Sequence, residues 1–220
     1  MTTLDDLRGV LPDEAIDAWP HVAACSPDDG VLMGGTALAV HLRHRVSRDL
    51  DVFTSKPFEP HAIAAQLSRR GPFAITTQDA GTLNGLFDRT KVQFLWAAGQ
   101  RVLEPGPTVA GLTVGSLSDL IATKLKVTAD RGELRDYFDL MTVEQQTGRR
   151  MEEGLLLYMA RFHVDATNAS IDAIVRGFGY FDDVETDPHL TAEHGTDIFD
   201  RVADYWRRRQ PEILASLDPR

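Results

Sequence analysis

The pattern of apolar residues changes once along this chain of 220 residues, near residue 115. Before that point, short runs rich in β-forming residues alternate with helical segments, and Gly and Pro are frequent. After Ser116, apolar residues recur at the three- and four-residue spacing that is typical of helices. The sequence therefore predicts an α/β (α+β) fold, with a mixed core in residues 1–115 and a helical region in residues 116–220.

The predicted elements of the first region follow from local periodicity and from turn residues. They are a helical segment within residues 3–24 with Pro12 as a helix start, a short strand or turn at VLMGG, a helix over 36–44, a strand at DLDVFT, a helix over 62–70, and strands at FAITTQ, TLNGLF and KVQFLW. Ser116 is a predicted N-cap, because Asp119 follows three residues later. A helix from Leu117 and a well-buried helix at ELRDYFDLMTVEQ come next.

Net charge and cysteine content exclude several classes of protein. The net charge is −10, so the chain as a whole repels a polyanion and does not coat DNA without sequence preference. Cys25 is the one cysteine, which excludes an internal disulfide and a multi-cysteine zinc site. No apolar run approaches the ~20 residues of a membrane span, and the first residues do not have the pattern of a secretion signal. We expect a cytoplasmic protein without a membrane partner.

A Gly-Gly-Thr turn forms the first candidate site. Gly34 and Gly35 stand directly before a predicted helix. Because glycine has no side chain, a ligand can approach the exposed backbone amides closely there. Amides at a helix start bind phosphate well, because the helix dipole also favours an anion there, and Thr36 adds a hydroxyl donor. Taken alone, such a turn is also common as a purely structural feature.

Two aspartates at positions i and i+2 of a predicted strand strengthen that interpretation. Asp49 and Asp51 project from one side of the strand, and like charges held so close together favour a cation between them. Carboxylate oxygens suit Mg²⁺, which takes further ligands from water and from substrate phosphates. The sequence therefore predicts a phosphate cradle beside a magnesium site, flanked by the basic residues Arg43, Arg45 and Arg48.

A second cluster of charged residues lies in the helical region. Lys124 falls on the apolar stripe of its helix, where an ammonium group needs a partner, whereas Lys126 points away from that stripe. The charged residues near it are Arg131, Arg135, Asp136 and Asp139. Two interpretations stay open at this point. The residues form a salt-bridge network between two helices, or Lys124 contacts a triphosphate while Asp136 orients the nucleotide or that lysine.

Two separated motifs, GGTALAVHLRHRVSRDLDVF and DLIATKLKVTADRGELRDYFDL, resemble the AbiEii/AbiGii-type nucleotidyltransferase toxin family over roughly residues 30–145. The resemblance implies a core similar to that of DNA polymerase β, with an NTP such as ATP as substrate. It assigns Mg²⁺ to Asp49 and Asp51, and the remaining active-site positions to Lys124 and Asp136. It assigns nucleotide binding to Gly34, Gly35, Thr36, Ser47, Arg48 and Lys124.

The resemblance also implies a reaction and its partners. A nucleoside monophosphate passes from the NTP to an acceptor hydroxyl, with a tRNA 3′ end as first candidate, and the chain is a toxin with a cognate antitoxin protein. One position departs from the wider superfamily: Gln93 occupies the strand where a third carboxylate is usual, so one Mg²⁺ is expected rather than two. Three alternatives stay open. They are transfer to a small molecule or to a protein, an inactive nucleotide-binding regulator, and a purely structural domain.

Overall fold

The computed structural model describes residues 3–130 and 132–217. Within it the chain forms two compact units, Met1–Leu120 and Ile121–Arg220. The boundary falls inside helix α4 (Leu117–Asp130), after its first turn.

The first unit alternates helices with short strands. In chain order its elements are a 3₁₀ turn (Asp5–Leu7), α1 (Asp13–Cys25), β1 (Val31–Met33), α2 (Gly34–Leu42), β2 (Leu50–Thr54), α3 (Pro60–Arg70), β3 (Phe73–Asp79), β4 (Thr82–Phe87), β5 (Thr90–Trp96), β6 (Thr108–Val109) and β7 (Leu112–Val114). The mixed α/β class and the strands predicted at FAITTQ, TLNGLF and KVQFLW are confirmed. The side chains of Ser116 and Asp119 also form the predicted cap at the start of α4, each bonding toward the other.

Two parts of the first unit differ from the sequence prediction. The structure confirms Pro12 as the helix start, since α1 begins at Asp13, but the helical character predicted from Thr3 onward is limited to the 3₁₀ turn before it. Gly9 adopts a left-handed conformation with φ +90°, and Pro12 is the N-cap, so the helix cannot extend back to the 3₁₀ turn. The short hairpin β6–β7 was not predicted, because strands of two and three residues in a stretch rich in Gly and Pro have no clear alternation.

The strands of the described residues form one mixed, seven-stranded sheet in the order β3-β4-β5-β2-β1-β7-β6. Strand β2 lies between β1, which is antiparallel to it, and β5, which is parallel to it. Asp51 of β2 therefore stands opposite Met33 on one side and opposite Gln93 on the other. This register fixes which side chains surround Asp51.

The central strands alternate between a covered face and an open face. Side chains of β2 and its neighbours that are buried include Leu50, Val52, Val92, Phe94 and Leu83. His21 of α1 stacks on Phe87 of β4 with 5.1 Å between ring centroids, so α1 packs on this covered face. The alternate residues, Asp51 and Gln93 among them, are only half-buried and form the open face.

The second unit is helical. It contains the rest of α4, then α5 (Leu134–Thr147), α6 (Met151–Phe162), α7 (Ala169–Gly177), α8 (Pro188–His194) and α9 (Ile198–Leu217). Helix α9 supplies the centre of its core: Trp206 stacks on Phe178 at 4.2 Å between centroids and donates a hydrogen bond to the Tyr137 carbonyl. The prediction that ELRDYFDLMTVEQ forms a well-buried helix is confirmed. None of the helices in the described ranges combines the length and apolar character that crossing a bilayer requires.

Candidate active site

The junction of β1 and α2 lies directly against a carboxylate. Helix α2 begins at Gly34, which adopts φ +71°. A Cβ atom placed on Gly34 would stand only 2.5 Å from Oδ2 of Asp51, much closer than real Cβ contacts. Glycine is therefore required here for two reasons, the left-handed backbone and the adjacent carboxylate. The Asp51 carboxylate therefore lies at the N-terminal end of α2.

The next glycine is covered by a guanidinium group. A Cβ atom on Gly35 would stand 2.5 Å from Nη2 of Arg45 and 3.1 Å from Oγ of Ser47. Helix α2 ends at Leu42, and Arg43 takes a left-handed conformation that turns the chain back over the start of the helix. This return places Arg45 and Ser47 at the glycine turn and joins a cation and a hydroxyl to the helix N-terminus.

Arg45 is the site residue that the sequence did not distinguish. It was one of three arginines in a predicted basic flank, and no spacing rule separates it from the others. In the structure Arg43 donates a hydrogen bond to the Asp6 carbonyl and Arg48 is exposed, whereas Arg45 lies over Gly35. The signal that could have identified it is the helix end at Leu42, which sets the direction of the returning chain.

Thr36 and Ser47 fix the position of Asp49. The Thr36 hydroxyl lies 2.5 Å from the Asp49 carbonyl oxygen and 2.9 Å from the Ser47 hydroxyl. Thr36 and Ser47 are both buried. The first turn of α2 is therefore tied to the segment before β2, so that Asp49 and Asp51 are held beside the glycine turn. The structure thus brings together Gly34, Gly35, Thr36, Ser47, Asp49 and Asp51, all within the first unit.

In the second unit, a buried lysine lies between two aspartates. Nζ of Lys124 is 2.6 Å from Oδ1 of Asp136 and 2.8 Å from Oδ2 of Asp139, and the side chains of all three are almost inaccessible to water. The other oxygen of Asp136 accepts from the Glu133 amide at 3.3 Å, which completes a capping box at the start of α5. The salt-bridge network that the sequence left open is therefore present around Lys124.

The other basic residues of that cluster lie apart from the buried lysine. Lys126 pairs with Asp130 on the surface at 3.0 Å, and Arg135 pairs with Glu133. Arg131 lies outside the described residues. Burial distinguishes Lys124 from these neighbours, in agreement with its predicted place on the apolar stripe.

The predicted metal ligands, Asp49 and Asp51, both belong to the first unit. No group of three or more His, Cys, Asp or Glu side chains suited to a metal occurs in residues 3–130 and 132–217. Asp49 and Asp51 are both half-buried, and the missing side chain at Gly34 lets Oδ2 of Asp51 lie against the start of α2. Carboxylate oxygens are donors that suit Mg²⁺, which fills its remaining positions with water or substrate oxygens.

Comparison with known proteins gives a family match and several similar folds. The model of the nucleotidyl transferase AbiEii toxin of type IV toxin–antitoxin systems matches residues 97–219. This match includes Lys124 and Asp136, whereas the glycine turn and Asp51 lie before it. An uncharacterized protein of Aquifex aeolicus is 26% identical over 204 residues, which are 91% of this chain and 95% of that protein.

Solved structures from two bacteria are similar to this fold. A Helicobacter pylori protein described as a candidate nucleotidyltransferase aligns with a TM-score of 0.53 at 17% identity, over 92% of this chain and 98% of its own. The nucleotidyltransferase toxin MenT4 of Mycobacterium tuberculosis aligns with a TM-score of 0.46 at 16% identity, over 94% of each chain. The first of these alignments supports the fold.

Proposed function

Since this chain belongs to the family of AbiEii nucleotidyl transferase toxins, we propose that it transfers a nucleoside monophosphate from an NTP to the terminal hydroxyl of an RNA. A tRNA 3′ end is the first acceptor to test, and ATP is the first NTP. In this proposal the acceptor oxygen forms a bond to the α-phosphorus, and the bond from that phosphorus to the bridging oxygen breaks. Pyrophosphate leaves, and the hydroxyl proton passes to water.

One observation carries this proposal: the Asp51 carboxylate lies against the glycine that begins α2. Carboxylates beside a helix N-terminus would normally occupy the place of an anion themselves, so a triphosphate and a carboxylate can share this site only with a cation between them. Asp49 and Asp51 are the residues that would hold Mg²⁺. When bound, Mg²⁺ would neutralise the charge that develops on the phosphate oxygens during transfer.

The other residues of the glycine turn would bind and orient the triphosphate. Gly34 and Gly35 have no side chains of their own beside the first amides of α2, and the dipole of α2 favours phosphate at this end. The Arg45 guanidinium, already next to Gly35, would pair with phosphate oxygens in a forked geometry. Ser47 would donate from the same side, and Arg48 would add a positive charge from an exposed position.

Lys124 and Asp136 belong to the part of the chain that the family model matches, and we assign them to the same reaction. Lys124 would compensate the charge on the leaving pyrophosphate, and Asp136, at 2.6 Å, would hold the ammonium group in position. The predicted helical region of residues 116–220 contains both of these side chains. The proposal also includes a cognate antitoxin as partner and the cytoplasm as location.

The experiment that tests the proposal is label transfer. Purified protein is incubated with Mg²⁺, each α-labelled NTP in turn, and total tRNA, beside an Asp49→Ala/Asp51→Ala control. Label on tRNA with wild type and none with the control is the expected result, and it also identifies the NTP. Wild type that leaves tRNA unlabelled would contradict the RNA acceptor. Screening small molecules and proteins with the same labelled NTP then tests the other acceptor classes.

A second candidate function, an inactive nucleotide-binding regulator, is favoured by one observation. Gln93 stands directly opposite Asp51 on β5, where a carboxylamide can neither act as a base nor add charge to a metal. Tight binding of NTP and Mg²⁺ without pyrophosphate release under any condition would support this second function. Pyrophosphate release that depends on Asp51 would exclude it.

A further inference from the structure

Three neighbouring strands carry one polar row across the open face of the sheet. Asp51 of β2 stands opposite Gln93 of β5, and Gln93 stands opposite Asn84 of β4. Residues directly opposite each other in a sheet project from the same face, and neighbouring strands are about 4.8 Å apart. Gln93 therefore lies about 5 Å from Asp51 along the row, and Asn84 about 10 Å from it. We call Gln93 and Asn84 the carboxamide pair.

The carboxamide pair and the glycine turn lie on opposite sides of Asp51. Gly34 follows β1, which borders β2 on one side, and the pair lies on β5 and β4, which border β2 on the other side. In phosphoryl and nucleotidyl transfer the attacking and leaving oxygens are roughly in line through the phosphorus. If the glycine turn holds the leaving phosphates, then the acceptor must approach from the side of the carboxamide pair.

The chemistry of that side fits a nucleobase. Oδ1 of Asn84 is buried and has no hydrogen-bond partner within residues 3–130 and 132–217, so the capacity of this acceptor is unused. Phe53 and Leu95 are opposite each other on the same open face, next to the polar row, and both are half-buried. A base has a polar edge and an apolar face, and carboxamides beside an aromatic ring can bind both.

We propose that the carboxamide pair recognises the base of the acceptor's terminal nucleotide, with Phe53 against the face of that base. This inference rests on the proposed RNA acceptor. Gln93 and Asn84 then determine which RNA ends are used, and they do not contribute to metal or triphosphate binding. A carboxamide donates and accepts at once, so the pair can discriminate between bases by their edges. In this inference Gln93, which occupies the strand where a third carboxylate is usual, serves to recognise the acceptor.

The first test measures binding without transfer. Short RNAs that end in each of the four 3′-deoxynucleotides are mixed with the protein, Mg²⁺ and a non-hydrolysable α,β-methylene NTP, and their affinities are read by fluorescence anisotropy. We expect wild type to prefer one or two ends by roughly tenfold, the usual value of one or two base-edge hydrogen bonds. In Gln93→Met and Asn84→Leu this preference falls to about twofold or less, while the affinity for the NTP analogue changes by less than about twofold.

The control and a charge variant separate recognition from structure. Gln78 stands opposite Leu83, which is on the covered face, and it bonds His61 there. Gln78→Met therefore removes a carboxamide from the same sheet and should leave the end preference unchanged. Gln93→Glu replaces an amide donor with an acceptor, so the preferred terminal base should change while the requirement for Mg²⁺ stays the same.

The outcomes separate this inference from the proposed function. Wild type that labels tRNA, with variants that keep its end preference, would overturn the inference alone. An equal loss of NTP affinity in Gln93→Met would place the pair in the triphosphate site and would also overturn it. Wild type that binds no RNA end overturns the inference, and wild type that labels no RNA overturns the proposed function, since label transfer is measured separately.

Discussion

Oδ2 of Asp51 lies 2.5 Å from the point where a Cβ on Gly34 would stand. The Asp51 carboxylate of β2 thus lies against the first residue of α2, and a side chain at position 34 would displace it. This contact joins the predicted phosphate cradle to the predicted metal ligand, which are 17 positions apart in sequence. Substitutions at these two positions therefore give the most direct tests of the site.

The first prediction concerns Gly34→Ala. The left-handed φ of +71° should cost about 1 kcal/mol of stability for any L-residue, and the new methyl group must also displace the Asp51 carboxylate. We expect affinity for Mg²⁺ and NTP to fall at least about tenfold, as measured by titration calorimetry. Gly99→Ala is the matched control, because Gly99 has φ +74° and open space around it. Equal affinities of Gly34→Ala and Gly99→Ala for Mg²⁺ and NTP would show that the contact with Asp51 does not affect binding.

The second prediction concerns Asp51→Asn. The substitution keeps the size of the side chain and removes one metal-ligand charge, so pyrophosphate release should fall at least about a hundredfold. Because Asp51 is half-buried at the open face, the free energy of unfolding should change by less than about 1 kcal/mol. Asp79→Asn, at the exposed end of β3, should leave both values unchanged. Asp51→Asn with wild-type turnover would contradict the proposed role of Asp51.

Local sequence patterns were enough to predict most elements of the first unit. Alternation of β-forming residues predicted strands β3, β4 and β5, and Ser116 with Asp119 predicted the start of α4. These features depend on residues close together in the chain. The left-handed turn at Gly9, which delays α1, and the two-residue strand β6 gave too weak a local signal.

The arrangement of the candidate site depended on pairing that the sequence does not state. The positions of Gly34 and Asp51 were predicted, but their contact follows from the antiparallel register of β1 and β2. The place of Gln93 beside Asp51 follows from the parallel register of β2 and β5. Arg45 was separated from its neighbours only by the turn at Arg43. Long-range register and chain reversal are set by tertiary packing, so local pattern cannot provide them.

The third prediction concerns Lys124→Met. Removing the ammonium group leaves two carboxylates, Asp136 and Asp139, buried without their shared cation, which should cost about 3 to 5 kcal/mol of stability. Lys126→Met is the control, because its pair with Asp130 is exposed and should contribute less than about 0.5 kcal/mol. Urea unfolding measures both values.

A combined variant tests whether that cost comes from the buried charges. Lys124→Met with Asp136→Asn and Asp139→Asn removes all three charges, and we expect it to recover part of the lost stability. The opposite outcome is that the two added substitutions lower the stability of Lys124→Met by the sum of their separate effects in wild type. In that case the three side chains do not act as one network. Activity of the combined variant should stay absent, since Lys124 is assigned to the reaction.

The fourth prediction concerns acid stability. Burial alone raises the pKa of Glu144, but hydrogen bonds from Arg209 and Tyr205 outweigh burial and hold that pKa below its ordinary value of 4.5. The folded state therefore binds this proton less readily than the unfolded state. Its contribution to stability is complete above about pH 4.5 and is lost as the pH falls toward the lower folded pKa.

Glu144→Gln should remove this part of the pH dependence. It should cost about 1 to 3 kcal/mol at pH 7, because Arg209 loses a buried charged partner, and less at pH 3.5. Glu153→Gln, at an exposed position of α6, should have no such effect. The measurement is chemical unfolding at the two pH values, and a difference between wild type and Glu144→Gln that is the same at both would contradict the assignment.

The fifth prediction concerns alkaline stability. Burial, with the nearby charge of Asp136, raises the pKa of Tyr137 to about 12, from an ordinary value of 10.0. The unfolded chain therefore loses this proton first, and stability present below about pH 10 is lost as the pH rises toward 12. Two pKa units correspond to roughly 2 to 3 kcal/mol at full effect.

The variant Tyr137→Phe should therefore have a stability close to that of wild type at pH 8. At pH 11.5 its stability, compared with its own value at pH 8, should have fallen less than that of wild type. Unfolding in urea at both pH values, with absorbance at 295 nm to follow tyrosine ionisation, measures this. A Tyr137→Phe variant that loses stability with pH as steeply as wild type would show that burial of this phenol does not set the alkaline limit of the helical unit.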